Sequence, residues 1–61
     1  MTKRELKIEK ARLTMEWRKS LYDRRQRLKD QGAMEDEELE ESRYRYERAK
    51  VKWQLAQLEE P

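Results

Sequence analysis

Apolar side chains recur along this chain with the period of a helix, and they do so on two faces at once. At about 100° per residue, Leu6, Leu13, Trp17, Leu21 and Leu28 gather at roughly 220–300° on a helical wheel, and Ile8, Ala11, Met15 and Tyr22 at roughly 20–80°. The pattern repeats after residue 36. Leu39, Tyr46, Ala49, Trp53 and Ala56 form one stripe, and Tyr44, Val51, Leu55 and Leu58 form another. The rest of the first segment carries Glu5, Glu9, Arg12, Glu16, Lys19, Asp23, Arg27 and Asp30, charges of mostly alternating sign three or four residues apart, as on a solvated helix face.

Start and stop signals bracket both segments. Thr2, followed three residues later by Glu5, has the form of a capping box, in which the Thr2 hydroxyl accepts from the Glu5 amide and the Glu5 carboxylate reaches back. The single glycine, Gly32, is placed to take the left-handed conformation that ends a helix, with Lys29 complementing the dipole in the last turn. Asp36 is a candidate N-cap for the second segment, and the acids after it suit a helix N-terminus. Pro61 is a terminator. The prediction is an all-α, single-domain chain over residues 1–61: a helix over about 3–30, a turn over about 31–35 and a helix over about 36–60, folded as an antiparallel two-helix hairpin.

Folding back at Gly32 puts residues of equal height at numbers that sum to a constant near 66. Leu28 with Leu39, Leu21 with Tyr46, Trp17 with Ala49 and Leu13 with Trp53 sum to 66 or 67. Tyr22 with Tyr44, Met15 with Val51, Ala11 with Leu55 and Ile8 with Leu58 each sum to 66. This arithmetic does not choose which stripe closes the hairpin. The reading adopted places Leu13, Trp17, Leu21, Leu28, Leu39, Tyr46, Ala49 and Trp53 in the hairpin core, with Trp17 and Trp53 carrying most of the packing energy. Ile8, Met15, Tyr22, Tyr44, Val51, Leu55 and Leu58 then form a protein interface.

A helix turns only one face to a single partner, so two stripes per helix leave one uncovered. The expectation is self-association into an antiparallel four-helix bundle as a homodimer, or docking on another helical protein. The wide angle between stripes also accommodates a hairpin sandwiched between two neighbours.

Composition agrees with helix and narrows the chemistry. Ala, Glu, Lys, Leu and Arg make up 38 of 61 residues, above the roughly half that marks long helices and coiled coils. With no Cys and no His, the chain has no thiol nucleophile, imidazole base, disulfide framework or zinc site of the usual kind. One glycine cannot make a phosphate-cradling loop. Glu35, Asp36, Glu37, Glu38, Glu40 and Glu41 lack the spacing of a calcium loop, and the helix dipole accounts for them. No enzyme activity, cofactor or metal is expected. Apolar runs never exceed two residues, which fits neither a membrane span nor a signal peptide, and the chain reads as soluble and cytoplasmic with no membrane partner.

Charge changes the picture most. Residues 1–29 carry +7, residues 30–42 carry −7 and residues 43–61 carry +2. In a hairpin, the basic segments of both helices stand side by side behind an acidic tip. Arg18, Lys19, Arg24, Arg25 and Arg27, with Arg43, Arg45 and Arg48 interleaved with tyrosines, are therefore candidates for phosphate contacts and define a second reading, nucleic-acid binding. Against it, these side chains do not share one face of either helix. The first reading is a small non-catalytic interaction module, a regulator, adaptor or assembly factor, that acts by helix-on-helix docking.

Overall fold

A computed structural model describes residues 1–58. Two helices, α1 (Lys3–Asp30) and α2 (Asp36–Leu58), pack side by side as an antiparallel hairpin, and the described residues form no strand. The part of the second helix expected at residues 59–60 lies outside the described residues.

The local signals act at both ends of α1. The Glu5 amide donates to Thr2 Oγ1 at 3.1 Å and the Thr2 amide donates to Glu5 Oε1 at 3.3 Å, completing the capping box. At the other end Gly32 takes φ +74°. The Gly32 amide donates to the Lys29 carbonyl at 2.9 Å and the Ala33 amide to the Leu28 carbonyl at 2.8 Å, the paired bonds of a Schellman ending. Asp36 is already helical. The Glu35 carbonyl accepts from the Leu39 amide at 3.3 Å, so the cap position falls one residue earlier than Asp36, whose carboxylate instead pairs with Lys29 across the turn.

The seam between the helices follows a spacing of three and four residues. On α1 it uses Ile8, Ala11, Met15, Arg18, Tyr22, Arg25 and Lys29, all half-buried. On α2 it uses Leu39, Ser42, Tyr46, Ala49, Trp53 and Ala56. This is the heptad spacing of a coiled-coil contact. Small side chains let the backbones approach: Ala49 and Ser42 are the most enclosed of the described residues, at 6% and 4% exposure. Tyr22 stacks on Tyr46 with ring centroids 6.1 Å apart. Arg25 donates to the Ser42 hydroxyl, which itself donates to the Glu38 carbonyl at 3.1 Å.

The seam therefore joins stripes that the sequence reading kept apart. The α1 stripe assigned to an interface (Ile8, Met15, Tyr22) faces the α2 stripe assigned to the core (Leu39, Tyr46, Ala49, Trp53). Leu13 and Trp17, expected in the core, stand outside at 54% and 56% exposure. Tyr22 meets Tyr46, not Tyr44. The register survives this exchange: Tyr22 with Tyr46 and Arg25 with Ser42 sum to 68 and 67, close to the expected constant. The reason is that Arg18, Arg25 and Lys29 occupy seam positions. All three are half-buried, and Arg25 satisfies its guanidinium on the seam's own Ser42 hydroxyl, so a face that looks polar by composition serves as the packing face.

Candidate interaction surfaces

Between Cα atoms the hairpin measures 46 × 16 × 10 Å, one helix thick and two wide. Each helix thus keeps an outer edge, opposite the seam, and the pair presents two flat flanks.

The outer edges are apolar. On α1 the edge is built by Leu6, Leu13 and Trp17, and on α2 by Tyr44, Val51 and Leu55, continued by Leu58. All are between 50% and 75% exposed. The two edges share one template, since residues 6, 13 and 17 and residues 44, 51 and 55 are both spaced i, i+7, i+11. Beside Val51 the α2 edge carries a hollow of about 380 Å³ lined by Tyr44, Glu47, Arg48, Val51 and Lys52. Of the residues assigned to an interface from sequence, Tyr44, Val51, Leu55 and Leu58 are on this edge, while Ile8, Met15 and Tyr22 are taken up by the seam. Leu21 and Leu28 are half-buried beside the seam.

The two flanks differ in charge. On one, Arg12 donates from Nε to Glu9 at 3.2 Å and from Nη1 to Glu16 at 2.7 Å, and it pairs with Glu9 a second time through Nη2. The hydrogen bond from Arg12 holds the Glu9 carboxyl below the usual carboxylate range. The bonds to Glu9 and then Glu16 raise the Arg12 guanidinium above its ordinary value. Lys29, bonded to Asp36 at the turn, is likewise held protonated above the ordinary lysine range. The charges of Arg12 and Lys29 are thus met by carboxylates of the chain itself.

The other flank is basic. Three hollows adjoin one another along it. The first, about 270 Å³, is lined by Lys7, Lys10, Ala11, Thr14, Ala49 and Lys52. It shares Thr14, Ala49 and Lys52 with a second of about 420 Å³, where Arg18, Arg45 and Arg48 join the wall. The third, near the turn, shares Arg18 and Arg45 and adds Leu21, Arg25 and Ser42. Together they make a trough in which seven of the twelve lining residues are Lys or Arg and none is Asp or Glu. Arg45 pairs with Glu41 at 2.5 Å, Arg25 is bonded to Ser42, and the Arg18 guanidinium sits 4.7 Å from the centroid of the Trp17 ring. Lys7, Lys10, Arg48 and Lys52 have no carboxylate within 4 Å among the described residues.

The trough divides the cations proposed from sequence for phosphate contacts. It gathers Arg18, Arg25, Arg45 and Arg48. Lys19, Arg24, Arg27 and Arg43 are exposed and do not line it. Lys7, Lys10 and Lys52 were missed. The signal for them was present in the helical spacing of Lys7, Lys10 and Thr14 on α1 and of Arg45, Arg48 and Lys52 on α2, but it becomes readable only once the seam is known. Among the described residues no three potential metal-ligating side chains converge, and no helix is long and apolar enough to cross a membrane. No protein-family model, curated protein or solved structure matches this chain.

Proposed function

We propose that this chain is a non-catalytic interaction module that docks helix on helix, and that its first partner is a second copy, two hairpins giving an assembly of four helices. One observation carries the reading: outside the seam, Leu6, Leu13, Trp17, Tyr44, Val51, Leu55 and Leu58 line the outer edges and each is at least half exposed. The surface area supports the same conclusion. The chain exposes 5145 Å². A compact protein of 7.7 kDa exposes about 4,300 Å² by the usual scaling, so the excess is about 800 Å², about what one partner buries in a standard interface.

The α2 edge is the docking surface. Tyr44, Val51, Leu55 and Leu58 form a stripe of helix-on-helix spacing, and the hollow beside Val51 receives a side chain of the facing copy. Sedimentation across a range of concentrations tests this. The parent is expected to shift from one copy to two as concentration rises into the tens of micromolar, and Val51→Asp/Leu55→Asp to remain a single copy with unchanged helicity. A parent that stays single at 100 µM defeats the proposal, as does a double variant that dimerises like the parent.

A further inference from the structure

The basic trough borders the α2 docking edge, sharing Arg48 and Lys52 with the hollow beside Val51, and the interaction-module reading gives the rest of its cations no role. We propose that it is a binding site for single-stranded nucleic acid, with phosphates seated between the Lys10 and Lys52 rows and a base stacked on Trp17.

Charge uniformity is the first support. Protein interfaces are depleted in Lys and mix charges of both signs. Here Lys7, Lys10, Arg48 and Lys52 face one concavity with no acid in its lining. A strand bearing one negative charge per nucleotide matches that surface along its whole length; a second copy of this chain would bring the same cations against themselves. Length is the second. Arg45 to Lys52 advances about 10.5 Å along α2, about three nucleotides of a stacked strand at 3.4 Å each. From Lys7 to Arg25 the trough runs about 27 Å, about eight nucleotides and within the site sizes of known single-strand binders.

The aromatic is the third. Residues 10, 14, 17 and 21 follow one another at i+4 and i+3 along α1, so Trp17, on the outer edge, stands beside the rim that Lys10, Thr14 and Leu21 give the trough without lining it. Its ring is more than half exposed and carries the Arg18 guanidinium, a pairing that adds charge to a stacking platform. A duplex fits less well. Laid flat, the hairpin spans 16 Å between Cα atoms, wider than the roughly 12 Å major groove.

The test uses two variants of equal net charge. Lys10→Glu/Arg48→Glu/Lys52→Glu reverses the trough, and Lys19→Glu/Arg27→Glu/Arg43→Glu reverses three exposed cations outside it. Each is titrated in mobility-shift assays with a 20-nucleotide oligo-dT and a 20-nucleotide oligo-rU, the two arms separating a DNA from an RNA preference. The parent is expected to retard at least one oligonucleotide at 50 mM salt. With four phosphates engaged, affinity should fall roughly 50-fold by 200 mM. The trough variant should bind at least tenfold more weakly than the control variant, and Trp17→Ala at least fivefold more weakly than the parent with an unchanged salt slope. Sedimentation of each variant keeps any change in self-association separate from a change in binding. The proposal is overturned if the parent retards neither oligonucleotide, if both triple variants lose binding equally, if Trp17→Ala binds as the parent does, or if polyglutamate of equal charge displaces the strand as well as unlabelled oligonucleotide does.

Discussion

The two tryptophans show how far apart identical side chains can be placed in so small a protein. Trp53 belongs to the seam, and its indole N–H is enclosed without an acceptor among the described residues. Trp17 stands outside with a guanidinium on its ring. Truncating Trp53 to Ala removes seam packing and is expected to cost about 2–3 kcal/mol, somewhat under the range for fully buried Trp because the residue is only half-buried. Trp53→Phe keeps most of the ring while deleting an unpaired donor, whose enclosure costs about 1–3 kcal/mol, and should therefore cost less than 1 kcal/mol. Trp17→Ala should also stay below about 1 kcal/mol. Chemical denaturation at low micromolar protein checks all three. Equal losses for Trp17→Ala and Trp53→Ala would place both side chains in the packed seam, against the structure.

At the scale of the helix, α1 is held by charge on one side and by packing on another, and the two respond differently to pH. Glu9 has its carboxyl lowered chiefly by the hydrogen bond from Arg12. A group whose folded pKa lies below its unfolded value stabilises the fold above the unfolded carboxylate range, and that contribution disappears as pH falls through the folded value. Arg12, raised, stays charged throughout this window. The thermal midpoint of the parent followed by circular dichroism should thus decline as pH drops below about 4, and Glu9→Gln should flatten part of that decline while starting from a lower midpoint at neutral pH. An identical acid profile in the variant would show that the pair contributes nothing. Both ends of α1, the turn at Gly32 and the antiparallel register were legible in the sequence, because each depends on local chemistry or on counting back from one glycine, whereas the cap of α2 falls at Glu35 and not at the expected Asp36. The choice of seam was not. On α1 the stripe of Leu6, Leu13 and Trp17 outweighs the true packing face, where Ile8, Met15 and Tyr22 alternate with Arg18 and Arg25. Counting apolar residues favours the stripe with more of them, whereas packing favours the face on which half-buried Arg18 and Arg25 meet Ala49 and Ser42. The trough was illegible for the same reason, since its two walls are defined by the seam.

The whole molecule is a pair of rods joined at one end, without a layer behind either. Any partner that covers an edge or a flank adds the second layer that the chain lacks, and a surface of 5145 Å² leaves ample room for two partners at once. The short connection at Gly32 also sets the order in which the rods meet. Loop closure is least costly beside the bend, where Lys29 reaches Asp36, and every pairing farther along can form only by enclosing a longer stretch of chain unless its neighbours have already formed. Assembly should run like a zip from the bend to the open end, where Arg4 reaches the Gln57 carbonyl. Gly32→Ala, strained at a positive φ though nothing lies within 4 Å of the added methyl, should slow refolding in stopped-flow measurements. Ala56→Gly, near the open end, should leave refolding unchanged and hasten unfolding.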